Sequence, residues 1–228
     1  MHKILKTVIT ALPLAGGCLL APLAPAADQT LDSAILQVEH QWAHINYEAP
    51  KQAKSDEFAK LEQQESALVK QYPGHAEPII WQAITLSTHA GVKGGLSALG
   101  MAKDARKLLE QAETIDPSAM HGSIYTSLGS LYYKVPGWPL GFGDDEQAET
   151  YLKKALAMNP TGIDPNYFYG DFLNGKERYA EAAQALQKAL QASDRPGRAL
   201  ADKGRREEAR KLLAKVQAKL GQSTHASR

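Results

Sequence analysis

One spacing of small and large apolar residues recurs along the middle of this chain and constrains its fold more than any other feature. The copies are Ala105, Leu109, Ala112 and Pro117; Ala148, Leu152, Ala155 and Pro160; and Ala182, Leu186 and Ala189, the last without a proline at the expected place. Offsets of four and seven residues lie on one face of an α-helix, and alanines on that face let a second helix approach closely. Proline stops a helix because it lacks an N–H and fixes φ. The pattern therefore predicts three helices with tightly packed partners.

A second pattern lies upstream of each copy and marks the expected partner helix. Its members are Trp81, Ile84 and Leu86; Tyr125, Leu128, Gly129 and Tyr132; and Tyr169, Gly170 and Leu173. Glycine in the middle of a helix is unfavourable by about 1 kcal/mol relative to alanine. We therefore expect Gly129 and Gly170 to lie where two helices cross closely.

Together these residues resemble the tetratricopeptide repeat (TPR) family. Trp or Tyr, Leu-Gly, Tyr, Ala, a large apolar residue, Ala and Pro follow one another at that family's spacing over residues 78–195. The resemblance implies an all-α fold, a right-handed solenoid of antiparallel helix pairs. The third unit fits without gaps, whereas the second and first carry seven and eight extra residues. We predict that these insertions form long loops after Thr88 and after Tyr133.

The segments that flank the repeats are predicted to be helical caps. Residues 28–77 supply an amphipathic helical pair at the N-terminal end, and residues 78–196 form the three repeats with their insertions. Residues 197–220 repeat the second-helix pattern with heavy charge on the other face, which predicts a solvated C-terminal capping helix. A disordered tail is predicted for residues 221–228.

Residues 1–26 have the pattern of a secretory signal peptide. Lys3 and Lys6 precede an apolar run over residues 7–23, and the small residues of Ala24-Pro25-Ala26 then provide a cleavage site. We therefore expect an exported, periplasmic protein. A membrane anchor is the alternative, but the prolines and glycines of the apolar run oppose it.

Cys18 is the only cysteine, and it lies inside that apolar run. Cleavage after Ala26 leaves no thiol, so disulfide and thiolate chemistry are excluded from the mature chain. The residues before Cys18 resemble a bacterial lipoprotein box, although Ala15 rather than Leu14 stands three residues before the cysteine. A lipoprotein anchored at Cys18 is thus the alternative localisation, and contact with a membrane is expected only in that case.

Charge separates the body of the chain from its end. Without residues 1–26 the formal charge changes from +1 to −1, and residues 198–228 hold nine basic against three acidic residues. The remaining body, residues 27–197, carries a charge of −7. Such a body repels phosphate, which argues against nucleic-acid binding.

Aromatic residues concentrate in the second and third repeats, since eleven of the 16 lie between Tyr125 and Tyr179. The insertion over residues 134–145 contains two prolines and three glycines, so it is not helical, and its apolar side chains should fold back onto the protein. The candidate partner-binding residues are Tyr132, Tyr133, Trp138, Phe142, Tyr167 and Tyr169. The alternative is that these rings only fill the space between helices.

The chain shows no catalytic signature. There is no phosphate-binding loop, dinucleotide fingerprint or nucleophile elbow. His40 and His44 lie on the solvent side of their helix, and Asp144 with Asp145 is better placed to cap a helix than to hold a metal ion. The glycine-rich run over residues 91–100 is predicted to be a flexible hairpin loop at the edge of the groove. We expect a non-enzymatic protein without cofactor or metal.

Two functions remain open. The family resemblance implies a scaffold in the cell envelope that binds a protein or peptide on its concave face. The chain is also similar in organisation to the helical-repeat component associated with some periplasmic TRAP-type transporters, which implies a ligand-handling role. A closed pore lined by Tyr132, Trp138 and Tyr167 favours the second function, and an open groove favours the first.

Overall fold

The computed structural model describes residues 30–226, which contain nine α-helices. They are α1 (Leu31–Tyr47), α2 (Lys54–Gln71), α3 (Ala76–Lys93), α4 (Gly95–Ile115), α5 (Ser123–Lys134), α6 (Asp145–Met158), α7 (Ile163–Gly175), α8 (Tyr179–Gln191) and α9 (Ala199–Ala226), with a short 3₁₀ turn at Ala119–Gly122. None of these helices has the length and apolarity needed to span a bilayer. The signal peptide, Cys18 and the end of the predicted tail lie outside the described residues.

The three repeats are the helix pairs α3–α4, α5–α6 and α7–α8, and their close crossings lie at the predicted residues. A β-carbon on Gly129 would stand 2.6 Å from Cγ of Leu152 and 3.0 Å from the carbonyl oxygen of Ala148. One on Gly170 would stand 2.7 Å from Cγ of Leu186. Heavy atoms do not approach so closely, so only glycine fits. The prediction that glycine and alanine mark the crossings is confirmed.

The first insertion is helical, so the predicted loop after Thr88 and the flexible hairpin over residues 91–100 are wrong. Helix α3 continues to Lys93, and α4 starts at Gly95. Gly94 joins them in one residue because its φ of 65° turns the chain. The added residues lengthen the two helices and extend the inner wall of the solenoid. The packing of these longer helices outweighs the low helix propensity of the glycines.

The second insertion is a loop, as predicted, and it is tied together by backbone contacts. Gly143 N–H donates to the carbonyl of Pro136 at 3.0 Å, and Gly137 pairs with Gly143. Phe142 packs on the protein. Trp138 does not: its side chain is 90% exposed at the loop tip, which corrects the prediction that it folds back. These backbone contacts between the two ends of the loop hold Val135 and Phe142 against the protein and leave the loop tip exposed to solvent.

Helix α6 starts where the sequence predicts. Asp144 Oδ1 accepts hydrogen bonds from the N–H groups of Glu146 and Gln147 at 2.9 and 3.0 Å, and Asp145 and Glu146 occupy the first turn. These carboxylates satisfy free N–H groups and suit the helix dipole. Capping is thus the role of Asp144 in the fold.

Helix α9 closes the solenoid into a ring. It packs against α7 and α8, as a further repeat helix does, and also against α1. His40 Nε2 contacts the carbonyl of Gly197 at 2.5 Å, and Gly204 lies so close to the Tyr47 ring that a β-carbon would stand 2.5 Å from it. The start of α9 is therefore buried at a junction and is not a solvated cap. The helix also continues to Ala226, into the segment predicted to be disordered.

Because successive helices are antiparallel, α1, α3, α5, α7 and α9 run in the same direction. Each contacts the next along the inside of the ring, while α2, α4, α6 and α8 lie outside. The core fills the space between the inner and outer helices, where Phe58, Leu109, Leu152 and Leu186 are fully buried. The inner faces of the odd-numbered helices are left to line the centre of the ring.

Candidate functional site: the central cavity

The ring surrounds a cavity of about 1190 Å³ that is partly open to solvent. Its wall is built from the inner helices, the start of α4, the second insertion, and the turns that precede α5, α7 and α9. This volume is slightly above the range of about 300–1,000 Å³ that is typical of small-molecule sites. The cavity is therefore large enough for a whole small molecule or a short extended chain.

One end of the cavity is apolar. It lies where α3 and α5 end and α4 starts, and its wall contains Leu96, Leu99, Leu131, Val135, Pro136 and Leu140. Lys134 is a charged member of this part of the wall and pairs with Asp171. Leu96 is 90% exposed and Leu140 is 68% exposed, although both belong to the wall. Large apolar side chains left in water at the edge of a cavity are typical of a surface that a ligand covers.

The opposite end is polar and charged. It lies where the odd-numbered helices begin, and its wall contains Glu77, His121, Asn159, Thr161, Asp164, Asp194, Arg195 and Arg198. The wall thus changes from charged to apolar along the direction of the inner helices. A ligand that fits the whole cavity must have a polar and an apolar part.

Ion pairs centred on Asp164 hold the charged end together. Arg195 Nη1 donates to Asp164 Oδ2 at 2.6 Å, and Arg205 Nε donates to Oδ1 at 2.8 Å. Arg195 also binds Asp202 at 2.7 Å, and Arg205 binds Glu208 at 2.6 Å. Burial alone raises the pKa of Asp164, but Arg205 and Arg195 outweigh it and hold the pKa well below its usual value.

Arg198 is less well neutralised than its neighbours. Its Nε lies 3.3 Å from Glu39 Oε2 but makes no hydrogen bond, and its guanidinium stacks over the Trp81 ring at 5.4 Å. Burial and the charge of Arg195 lower the pKa of Arg198. Burial also raises the pKa of Glu39, against the effect of Arg198. This pair is strained electrostatically and has unused hydrogen-bonding capacity.

Trp81 supplies a second unused donor in the same part of the wall. Its side chain is only 2% exposed, and its Nε1–H has no hydrogen-bond acceptor. Glu39 is the nearby carboxylate, and the interaction of this N–H with Glu39 lowers the pKa of the carboxyl against the effect of burial, although the two groups do not meet with hydrogen-bond geometry. Buried donors without an acceptor are rare in proteins, so this one needs an explanation.

The turn before α5 has an uncommon backbone. Met120 and His121, both in the cavity wall, have φ values of 52° and 51°, and Gly122 follows with 87°. Two consecutive non-glycine residues in the left-handed region are unfavourable, and such residues cluster at functional sites. The turn directs both side chains toward the cavity.

None of the six aromatic residues proposed from the sequence lines the cavity. Tyr132 packs between Phe142 and Tyr151, with ring centroids 5.4 and 5.6 Å away, and Arg106 stacks on Phe142 at 4.4 Å. Tyr133 and Tyr169 both pack on Phe172. These rings join helices to one another or to the loop.

Tyr167 and Trp138 complete the set. Tyr167 packs under the Arg205 guanidinium at 4.7 Å, and burial raises its pKa to about 12. Its neighbour Phe168 reaches the cavity wall instead. Trp138 is exposed outside the wall, so a role in binding a partner stays a prediction for this residue.

The cavity residues near the start of α9 were not predicted from the sequence. Arg195, Arg198 and Arg205 lie in or beside a segment that was interpreted as a basic tail. Pro196, Gly197 and the spacing of these arginines were visible in the sequence, but nothing in it shows that they face carboxylates on α1 and α7. Only ring closure brings them together.

A serine, a histidine and a glutamate meet between α2 and α3. His89 Nδ1 contacts Glu62 Oε1 at 2.7 Å, and its Nε2 contacts Ser55 Oγ at 2.9 Å. Hydrolases use the same order of groups. His89 is 4% exposed against Phe58, and none of the three residues lines the cavity. We therefore assign this cluster to the joining of α2 and α3.

The two histidines of α1 have separate partners. His44 pairs with Glu48 at 2.9 Å on the surface, while His40 contacts Gly197. Between residues 30 and 226 no three potential metal ligands come together.

Comparison with known proteins shows the fold. No protein-family model and no curated protein matches the chain. TTC0263, a thermophilic TPR protein of Thermus thermophilus, superposes with a TM-score of 0.51 at 19% identity, covering 78% of this chain and 89% of that one. MamA superposes with a TM-score of 0.42 at 20% identity, covering 77% and 95%. The helix pairs, the glycine crossings and the first of these similarities together show that this chain has a TPR-like all-α fold.

Proposed function

We propose that this protein is an exported, non-catalytic binding scaffold that holds a ligand in its central cavity. The observation that carries the proposal is the contact of α9 with α1, which converts an open groove into a ring around about 1190 Å³. An open concave face admits a folded partner, whereas a closed ring admits a small molecule or an extended segment. The ring supports the ligand-handling role over the adaptor role, although its lining differs from the one predicted, since Tyr132, Trp138 and Tyr167 lie outside the wall. Association with a transporter remains part of this proposal.

Native mass spectrometry of protein purified from its own envelope under mild conditions tests the proposal. A small molecule should remain bound, and Ser130→Trp should remove it, because Ser130 lines the cavity and a tryptophan side chain fills part of it. Thr150→Trp, on the exposed face of α6, is the matched control and should keep the ligand. Equal ligand content in both variants would contradict a cavity site.

A protein partner at the rim of the ring is the second candidate. The observation in its favour is the exposure of Trp138, which is 90% accessible at the tip of the second insertion. Envelope proteins captured by the wild type and lost with Trp138→Ala, in a variant that keeps its fold and its cavity ligand, would support an adaptor.

A further inference from the structure

The charged end of the cavity contains three buried polar groups without a hydrogen-bond partner, one of which is the Tyr47 hydroxyl. The other two are donors that lie next to each other. These are Nε1 of Trp81 and Nε of Arg198, whose side chains stack. Glu39 is the nearby carboxylate, but it bonds to neither donor. An acceptor supplied from the cavity satisfies both donors, and an anionic one also compensates the charge of Arg198.

Charge around Arg198 favours an anion over a cation at this point. Arg195 and Arg205 have close carboxylates in Asp164, Asp202 and Glu208, whereas Arg198 pairs with the poorly aligned Glu39 and interacts with Asp164 and Asp202 at longer range. Burial raises the pKa of Glu39 against the effect of Arg198. An ionised Glu39 repels a second anion, so substitution of Glu39 by glutamine is one test of the assignment.

A path with few charges leads from Trp81 to the apolar end. Along α3 the residues facing the cavity after Trp81 are Ile84, Ser87, Thr88 and Gly91. At 1.5 Å per residue, the distance from Trp81 to the end of α3 at Lys93 is about 18 Å. The path then meets Leu96, Leu99 and Leu140. This length and lining match an extended hydrocarbon chain.

We infer that the cavity binds a long single-chain amphiphile, with an anionic head at Arg198 and Trp81 and a hydrocarbon chain that ends against Leu96 and Leu140. This inference rests on the proposed function and names the class of its ligand. It explains why two large leucines are exposed at one end of the wall and why two donors are unsatisfied at the other. A free fatty acid and a lysophospholipid share the required chemistry.

Fluorescence titration with cis-parinaric acid, a fluorescent long-chain fatty acid, tests the inference. The purified protein should bind the acid and bind its methyl ester about tenfold more weakly, since the ester lacks the charge that Arg198 meets. Displacement by palmitate identifies the free acid as the preferred source, and displacement by lysophosphatidylglycerol alone identifies a phosphate head. Equal affinity for acid and ester would overturn the assignment of the head.

Exposed residues at the apolar end provide variants that leave folding unchanged. Leu96→Ser should weaken binding about fivefold, because the ligand no longer covers a leucine. Trp138→Ser is the matched control: Trp138 is equally exposed, at 90%, but lies outside the wall, so its affinity should not change. Equal effects of the two substitutions would overturn the assignment of the chain end.

Variants at the charged end separate the head from the chain. Arg198→Gln should reduce affinity for the acid but not for the ester. Arg198→Lys keeps the positive charge and should retain part of the affinity for the acid, so it replaces the first variant if that variant folds poorly. Glu39→Gln should bind the acid at least as tightly as the wild type, because a repelling charge is removed. Weaker binding with Glu39→Gln contradicts the inference.

The failure of this inference is distinguishable from the failure of the proposed function. If the acid does not bind while Ser130→Trp still expels another molecule, the ligand class is wrong and the cavity function stands.

Discussion

The seams within the repeats and the junction of α1 with α9 hold helices together by different physics. In the α5–α6 and α7–α8 seams, glycine lies against leucine and alanine, and the contacts are apolar and local in sequence. At the junction, Glu39 of α1 pairs with Arg198 just before α9, and Asp164 of α7 pairs with Arg205 and so anchors the start of α9. The apolar seams depend on shape, whereas the junction combines the apolar contacts of Leu200 and Ala201 with ion pairs and therefore also responds to pH and salt. The ring can therefore lose its closure under conditions that leave its repeats folded.

Filling an apolar seam should give the largest effect. Gly129→Val places a side chain where Leu152 and the Ala148 backbone already lie, so we expect a loss of about 3 kcal/mol in the free energy of unfolding, measured by urea denaturation. Gly100→Ala is the matched control, because Gly100 lies in a helix with no atom within 4 Å of an added β-carbon. It should stabilise the protein by about 0.5–1 kcal/mol. A tolerated valine at position 129 would show that the seam is not tightly packed.

Removing the α7 carboxylate that anchors the start of α9 should have the next largest effect. Asp164→Asn leaves Arg195 and Arg205 without their shared partner, so we expect a loss of about 2 kcal/mol and faster amide exchange in α1 and in the first turns of α9. Asp194→Asn is the control, because Asp194 is 87% exposed where it pairs with Arg206. Faster exchange confined to α7 and α8 would contradict a closing role for Asp164.

The pH dependence of the junction follows from the same carboxylate. The pKa of Asp164 is lower in the folded protein than in the unfolded chain. The carboxylate therefore stabilises the protein fully at a pH above its pKa in the unfolded chain, and this stabilisation is lost as the pH falls toward its pKa in the folded protein. The stability difference between wild type and Asp164→Asn should therefore shrink in acid. A difference that stays constant as the pH is lowered would sink this explanation.

The α2–α3 seam should respond to pH in the opposite direction and more weakly. Glu65 is fully buried, accepts a hydrogen bond from Thr85 at 2.6 Å, and has a pKa raised well above its usual value by burial. Because the folded state binds the proton of the Glu65 carboxyl more tightly than the unfolded chain does, the stability of the protein falls as the pH rises from the pKa of Glu65 in the unfolded chain through its pKa in the folded protein. Glu65→Gln should raise the melting temperature at neutral pH and lose that advantage in acid. Thr85→Val serves as a comparison that removes only the hydrogen bond.

The smallest effect is expected at the loop tip. Trp138→Ala should change the free energy of unfolding by less than about 0.5 kcal/mol, since the side chain is exposed. Tyr167→Ala should destabilise the protein clearly, because its ring packs under Arg205 and against Phe168. Comparing the melting temperatures of the two variants shows which of these two predicted binding residues stabilises the fold and which is only exposed.

The local parts of the fold were predictable from the sequence, and the ring was not. The spacing around Gly129 and Ala148 is a property of neighbouring segments, so periodicity reveals it. Arg198 and Glu39 are brought together by the accumulated turn of all the repeats, which no short pattern encodes. The six aromatic residues lie outside the cavity wall because rings such as Tyr132 pack between helices as readily as they line a groove, and their role in binding a partner stays a prediction.

The fastening of α9 to α1 also changes how this molecule can come apart. A linear array of repeats loosens from its two ends, since each terminal unit has only one neighbour. Within residues 30–226, α1 and α9 are each other's neighbours, so the repeat units between them are supported on both sides. Parting of these two helices would return the ring to a linear array with an unsupported unit at each end.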